Sequence, residues 1–211
     1  MKLYTFYSDS HEGLFQNFLK KSCLHFKEFD LITKKGEQIS IDGSFYSKGF
    51  HETVMQKIDF LLKTVDWESG EICVFSDVDV IITDFCKDFF KNEISDYDIV
   101  FQTDQTSMNT GFFVFRANKK VENLLKKSKT FNHFGDQLCI NAALKESTVK
   151  YKSFDKEIFN ISFYLNGKIW DNESTIHFPR KMKVYHANFI VGVDNKKKAL
   201  KQAEKRFLKY K

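Results

Sequence analysis

The run Ile72-Cys73-Val74-Phe75-Ser76 carries no polar alternation, ends abruptly on Asp77-Val78-Asp79, and resumes as Val80-Ile81-Ile82. An apolar run without a period of two predicts a strand buried on both faces, and such strands belong to parallel sheets covered by helices on either side. The two carboxylates directly behind it sit where burial penalises them unless they are paired or bound to a cation.

The flanking sequence agrees with that layering. Residues 3–7 read as a buried strand, and the polar cluster Ser8, Asp9 and Ser10 can cap a helix over about 12–24. A second strand is expected at 26–32 and a loop at 34–44. From Phe50, the positions Val54, Ile58, Leu61, Leu62 and Val65 recur at helical spacing. Beyond the acidic triplet, strands are expected at 99–103, 111–116, 149–153 and 183–186. Helices are expected at 120–129, capped by Asn118, at 136–145, and as a basic C-terminal helix over about 195–211. Early strand-helix alternation followed by shorter mixed elements predicts an α/β fold, a sandwich of helices around a central, mostly parallel mixed sheet. With 211 residues and 42% hydrophobic content, the chain suffices for one well-packed domain over 1–211 and hardly for two. Its 24 phenylalanines and 8 tyrosines put much of the core volume into rings.

The formal charge of +5 is not spread over the surface. Eight basic residues from Lys196 to Lys211 face one acid, Glu204, so this tail carries +7 and the body before it −2. That is not the broad basic face of a duplex-binding protein, and no nucleic-acid partner is expected. Cys23, Cys73, Cys86 and Cys139 show neither disulfide nor zinc-ligand spacing and predict reduced thiols in a cytoplasmic setting. No stretch approaches the length of a membrane span, and the N-terminus turns polar too soon for a signal-peptide core. The basic terminal helix can lead into a further domain of a longer chain.

Open α/β sheets bind ligands beyond the carboxyl ends of their strands, where Asp77 and Asp79 stand. In an extended chain their side chains leave the same side, with Val78 between them, so both can address one hard cation. Two carboxylates under-fill an octahedral ion. Another protein ligand, water and substrate phosphate oxygens complete the shell usual for Mg2+ or Mn2+.

The segment Cys73-Val74-Phe75-Ser76-Asp77-Val78-Asp79-Val80 resembles the D-x-D region of nucleotide-diphospho-sugar transferases of the GT-A, Rossmann-like fold. Met108-Asn109-Thr110-Gly111-Phe112-Phe113 resembles their N-x-G strand, Phe134-Gly135-Asp136-Gln137 their D-Q helix start, and Val184-Tyr185-His186-Ala187-Asn188 their terminal histidine motif. The four motifs stand in the family's order across residues 1 to about 198. The chain is most similar to transferases of plant and algal type, and to small domains carried by large algal viruses, for which capsid glycosylation is the implied role.

The resemblance implies a metal-dependent glycosyltransferase that moves a sugar from a nucleotide diphosphate, uridine ahead of guanosine, to a hydroxyl of a glycan or glycoprotein. It implies Asp79 as a direct metal ligand, Asp77 as a ligand or ribose contact, and His186 as the other protein ligand. Asn188 and Gly192 would shape the adjoining loop, and Lys196 to Lys198 would meet the diphosphate. Thr5, Tyr7, Ser8 and Asp9 would hold the base, with Val78 and Gly111 also lining the nucleotide. Lys57 could reach the ribose or phosphate; as a surface lysine it would do nothing. Asp104, Asn109, Asp136 and Gln137 would surround the donor sugar, and Asp136 is the candidate base for an inverting reaction. The N-x-G and D-Q pairing resembles that of retaining enzymes, in which the diphosphate itself can take the acceptor's proton.

A haloacid-dehalogenase-type phosphatase also uses D-x-D after a strand, with Asp77 as nucleophile and Asp79 as general acid. That fold places the motif after its first strand, whereas two strand-helix units precede it here, and the later acidic partner is missing at Ile140. A non-catalytic sugar-nucleotide binding domain is a third reading.

Overall fold

The computed structural model describes residues 1–41, 47–104, 107–155 and 170–207. Six strands, β1 (Lys2–Tyr7), β2 (Asp30–Lys35), β3 (Ile72–Ser76), β5 (Ile99–Asp104), β6 (Ser107–Arg116) and β7 (Tyr151–Ser153), form one sheet in the order β2-β1-β3-β6-β5-β7. β2 and β3 lie parallel to β1, and β7 parallel to β5. Only β6 is reversed, running antiparallel between β3 and β5, so the sheet is mostly parallel as expected. A second sheet pairs β4 (Val80–Ile82) with β8 (Val184–His186).

Side-chain alternation divides the core into two layers. Leu3, Val74, Val100, Phe112 and Val114 face one side, where they meet β4, β8, the helical stretch after β1, α4 (Lys87–Ile94) and α7 (Val193–Phe207). Tyr4, Phe6, Cys73, Phe75, Phe101, Phe113 and Phe115 face the other, against α3 (Phe50–Thr64), α5 (Lys119–Ser128) and α6 (Asp136–Lys145). Phenylalanine rings cross this second face in contact: Phe75 and Phe101 each pack on Phe113, at 5.1 and 5.5 Å between centroids. The stretch after β1 starts as a 3-10 turn over Asp9–His11. It continues as α1 (Glu12–Leu14), one π turn over Phe15–Leu19, and α2 (Lys20–Phe26).

The strand expected at 26–32 begins later. α2 runs to Phe26, Lys27 ends it in the left-handed conformation (φ 55°) with its N–H donating to Cys23 O, and β2 starts at Asp30. β2 is a sheet-edge strand with no fully buried side chain, so no apolar pattern marks its limits. Helix α4 has no counterpart in the sequence reading, because it buries only Phe90 and Ile94, too few to display a helical period. Residues 42–44 of the expected loop, 208–211 of the expected terminal helix, and 156–169 lie outside the described residues. Among the described residues, no helix is long and apolar enough to cross a membrane. All four cysteines are buried and free.

Candidate active site

The carboxyl end of β3 meets an irregular stretch of β6. Phe101 pairs with Phe113, yet the next residue, Gln102, pairs with Asn109, so Thr110, Gly111 and Phe112 are surplus on β6. Such a bulge re-aims side chains out of the ladder. Asp77 N donates to Gly111 O at 2.6 Å, which fixes the start of the acidic triplet against it. The small second sheet then supplies the histidine: Val80 pairs with His186, and Ala187 N donates to Asp79 O at 2.8 Å. One imidazole and two carboxylates from distant parts of the chain therefore share one corner.

The ligand atoms of Asp77, Asp79 and His186 lie within 4.8 Å of one another. His186 Nδ1 is 2.8 Å from Gln102 Oε1, and with that oxygen accepting, Nδ1 carries the ring proton. Nε2 lies 3.2 Å from Asp79 Oδ1. Lys196 Nζ adds an ammonium 2.5 Å from Asp79 Oδ2. A Cβ on Gly111 would stand 2.7 Å from Asp77 Oδ2 and closer still to His186 Cε1, so a side chain there would fill the corner. Carboxylate oxygens with an imidazole nitrogen suit a hard or borderline divalent cation, and these residues fit one.

Burial pushes the Asp79 carboxyl up, but the Lys196 ammonium and His186, with their hydrogen bonds, outweigh it and hold the group well below the usual carboxylate range. Burial and the neighbouring Asp79 raise Asp77, against the pull of Lys57. Lys57 is not a surface lysine. Its side chain is 8% exposed and its Nζ lies 2.7 Å from Asp136 Oδ2 and 3.3 Å from Asp77 Oδ1. Desolvation lowers its pKa, yet the two carboxylates prevail and raise it, so it stays charged. Thr110 Oγ1 donates to the same Asp136 oxygen at 2.5 Å. Asp77 and Asp136 thus face each other across one ammonium.

On the side expected to meet the sugar, Asn109 Nδ2 donates to Gln137 Oε1 at 3.2 Å and Gln137 Nε2 to Asp104 Oδ2 at 2.9 Å. Burial raises the pKa of Asp104, and its Oδ1 is buried without a partner among the described residues. The Thr5 hydroxyl, on β1 next to β3, and both side-chain polar atoms of Asn188 are likewise buried without partners. Tyr7 stacks on Phe15 at 4.5 Å, and Ser8 O accepts from His11 N. Gly192 takes φ 89° and its carbonyl accepts from Lys196 N, which starts α7 beside Asp79.

Two expected contacts change. The Val78 side chain is 3% exposed inside the core, leaving only its backbone for a nucleotide. Asp9 is exposed and pairs with Lys35 of β2 at 2.7 Å, because the edge strand brings that lysine across.

The sequence reading missed Gln102, Thr110 and His11. Gln102 was detectable as the one polar interruption in Ile99-Val100-Phe101-Gln102, and it is 1% exposed. Thr110 depends on the bulge. His11 lies near both carboxylates: burial and the Lys196 ammonium lower its pKa, while Asp79 and Asp77 raise it.

An α/β sandwich with paired carboxylates and a histidine gathered at its strand ends agrees with the resemblance to GT-A sugar-nucleotide transferases. Residues 15–200 match the nucleotide-diphospho-sugar transferase family model, and the chain belongs to that family. No curated protein matches its sequence. Among solved structures, it is similar to a glycosyltransferase involved in glycosylation of the major capsid of PBCV-1, at 10% identity over 95% of this chain and 100% of that one, TM-score 0.64. It is also similar to the galactosyltransferase LgtC in complex with donor and acceptor sugar analogs, at 10% identity over 88% and 86%, TM-score 0.55. The bifunctional glycosyltransferase WbbM matches at 11% identity over 99% of this chain and 52% of its own, TM-score 0.63. At these identities the likeness is one of fold. The family match favours sugar transfer over the phosphatase reading.

Proposed function

We propose that the chain transfers a sugar from a UDP-sugar to a hydroxyl of a glycan or glycoprotein, with Mn2+ or Mg2+ and with retention at the anomeric carbon. The observation that carries this is the convergence of Asp77, Asp79 and His186 beside Gly111, with Lys57 and Asp136 alongside. Asp77, Asp79 and His186 would hold the metal, which supplies Lewis-acid neutralisation of the leaving diphosphate. Lys196 and the adjoining Gly192 loop hold the diphosphate, Thr5, Tyr7 and Ser8 bound the base pocket, and Asn109, Gln137 and Asp104 select the sugar's hydroxyls.

Asp136 supports retention. Its Oδ2 accepts from both an ammonium and a hydroxyl. With both donors on Oδ2, that oxygen is not open to the acceptor's hydroxyl, and the carboxylate is placed to stabilise a cationic sugar.

The test is UDP release from a panel of UDP-sugars with Mn2+, followed by anomeric analysis of the product. The expected result is turnover of one donor, lost by at least about 100-fold in Asp79→Ala, the scale of a removed metal ligand. Turnover of no nucleotide sugar, with hydrolysis of a phosphate ester instead, sinks the reading.

A further inference from the structure

The segment after β2 runs beside the exit of β1, with Gly36 N donating to Tyr7 O at 2.8 Å. The residues that follow are pinned to α3: Glu37 N donates to Gln56 Oε1 at 3.0 Å, Gln56 Nε2 to Glu37 O at 2.9 Å, and Ser40 N to Thr53 Oγ1 at 2.9 Å. Between these anchors the Gln38 side chain reaches the 3-10 turn that follows β1. Its Nε2 donates to Ser40 O and Ser40 Oγ, each at 2.7 Å, and its Oε1 accepts from Ser10 N at 3.1 Å and Ser10 Oγ at 2.8 Å. Both amide hydrogens and both oxygen lone pairs are used.

These contacts fix one proton after another. A backbone carbonyl only accepts, so the Gln38 atom facing Ser40 O is the nitrogen and the one facing Ser10 is the oxygen. That oxygen also only accepts, so the Ser10 hydroxyl gives it its single proton. Ser10 Oγ is 2.7 Å from His11 Nδ1 as well, and with no second proton it must accept there, which puts the ring proton on Nδ1. Burial and the Lys196 ammonium lower the pKa of His11, against Asp79 and Asp77, so the ring is uncharged at neutral pH. Its Nε2 is then a bare acceptor, with no hydrogen-bond partner among the described residues.

We infer that Gln38 is a positioning residue for the donor: through Ser10 it holds His11 in the Nδ1–H form, and His11 Nε2 takes a hydrogen bond from an N–H or O–H of the nucleoside. The inference rests on the nucleotide-sugar function proposed above. His11 follows Tyr7 and Ser8 of the base pocket in the chain, and its electrostatic neighbours are Lys196, Asp79 and Asp77, the groups given to the diphosphate and the metal. A nitrogen lone pair repels phosphate oxygens and the bare N3 of cytosine, and it accepts from uracil N3–H or a ribose hydroxyl. A site built on such an acceptor rejects the analogue that lacks the donor, because the acceptor is left unpaired. Gln38 thus acts on nucleotide selection from a segment that carries none of the site's charged groups.

The tautomer is read by long-range proton–nitrogen NMR correlation in protein labelled at histidine nitrogens, at about pH 8, above the ordinary imidazole value of about 6.5. The His11 signals are identified by their loss in His11→Ala. The wild type is expected to show Nδ1 protonated and Nε2 bare, and Gln38→Ala and Ser10→Ala to show a mixed or Nε2–H ring. Ser10→Ala keeps the Ser10 N bond to Gln38, so the turn stays in place, and Ser40→Ala keeps Ser40 O and should leave the tautomer unchanged. Calorimetric titration with Mn2+ then compares UDP with CDP, which lacks N3–H, and with 2′-deoxy- and 3′-deoxy-UDP, which each lack a ribose hydroxyl. The wild type is expected to prefer UDP by about tenfold or more over one of these, and the preference to shrink to about twofold in Ser10→Ala and Gln38→Ala. A protonated Nε2 in the wild type, no preference for UDP, or a tautomer or preference unchanged in both variants overturns the inference. UDP that fails to bind the wild type would instead refute the underlying function.

Discussion

Asp79 meets Lys196 and His186 directly before β4, while only 4% of its surface is exposed. Its low pKa has a consequence for stability. The unfolded chain takes up a proton near the ordinary aspartate value of about 3.9, the folded one only below that. The stabilisation is therefore present above that value and lost as pH falls through the folded value. Acid unfolding followed by circular dichroism in the presence of a chelator should show stability falling below about pH 4, and falling less steeply in Asp79→Asn. Lys196 Nζ pairs with Oδ2 of Asp79, a carboxylate that would hold the metal. Lys196→Met is expected to tighten Mn2+ binding in the absence of nucleotide by several-fold, and to weaken UDP binding by about tenfold, about 1.4 kcal/mol. Calorimetric titration separates the two signs, and weakening of both would contradict the competition. Gly111→Ala is expected to lower Mn2+ affinity about 10- to 100-fold, read by the same titration, because its methyl enters the corner between Asp77 and His186.

At the scale of elements, Lys57 fastens α3 to α6 and to the end of β3, and Thr110 adds β6. Lys57→Met leaves Asp136 buried with one hydroxyl partner and is expected to cost about 3–5 kcal/mol in chemical denaturation, the scale of a broken buried pair. Thr110→Val should cost about 1 kcal/mol. The elements legible beforehand were those with strong local signals: β3 as an unbroken apolar run, α3 by its spacing, and α5 by Asn118, whose side chain accepts from Val121 N. The bulge in β6 was not legible, because a register shift arises from pairing with β5 and leaves no local pattern. Thr110 and Gln102 were missed with it. Asp77, Asp79 and His186 were found because their motifs each mark a strand end, which is where this fold gathers its ligands.

At the scale of the whole molecule, the positive charge of the chain is concentrated in α7, and only Lys196 of that run reaches the site among the described residues. The rest of the helix contributes through Ala199, Leu200 and Ala203, packed in the core with β4 and β8. The fold thus uses its last helix to close the layer under Asp79 and to deliver one ammonium to it. The central claim is that this site binds a nucleotide diphosphate through a metal held by Asp79. Titration of UDP into the protein with Mn2+, with a chelator, and in Asp79→Ala tests it most directly. The account predicts binding with Mn2+ that weakens at least about tenfold in the chelator and in Asp79→Ala; equal UDP affinity under all three conditions would contradict it.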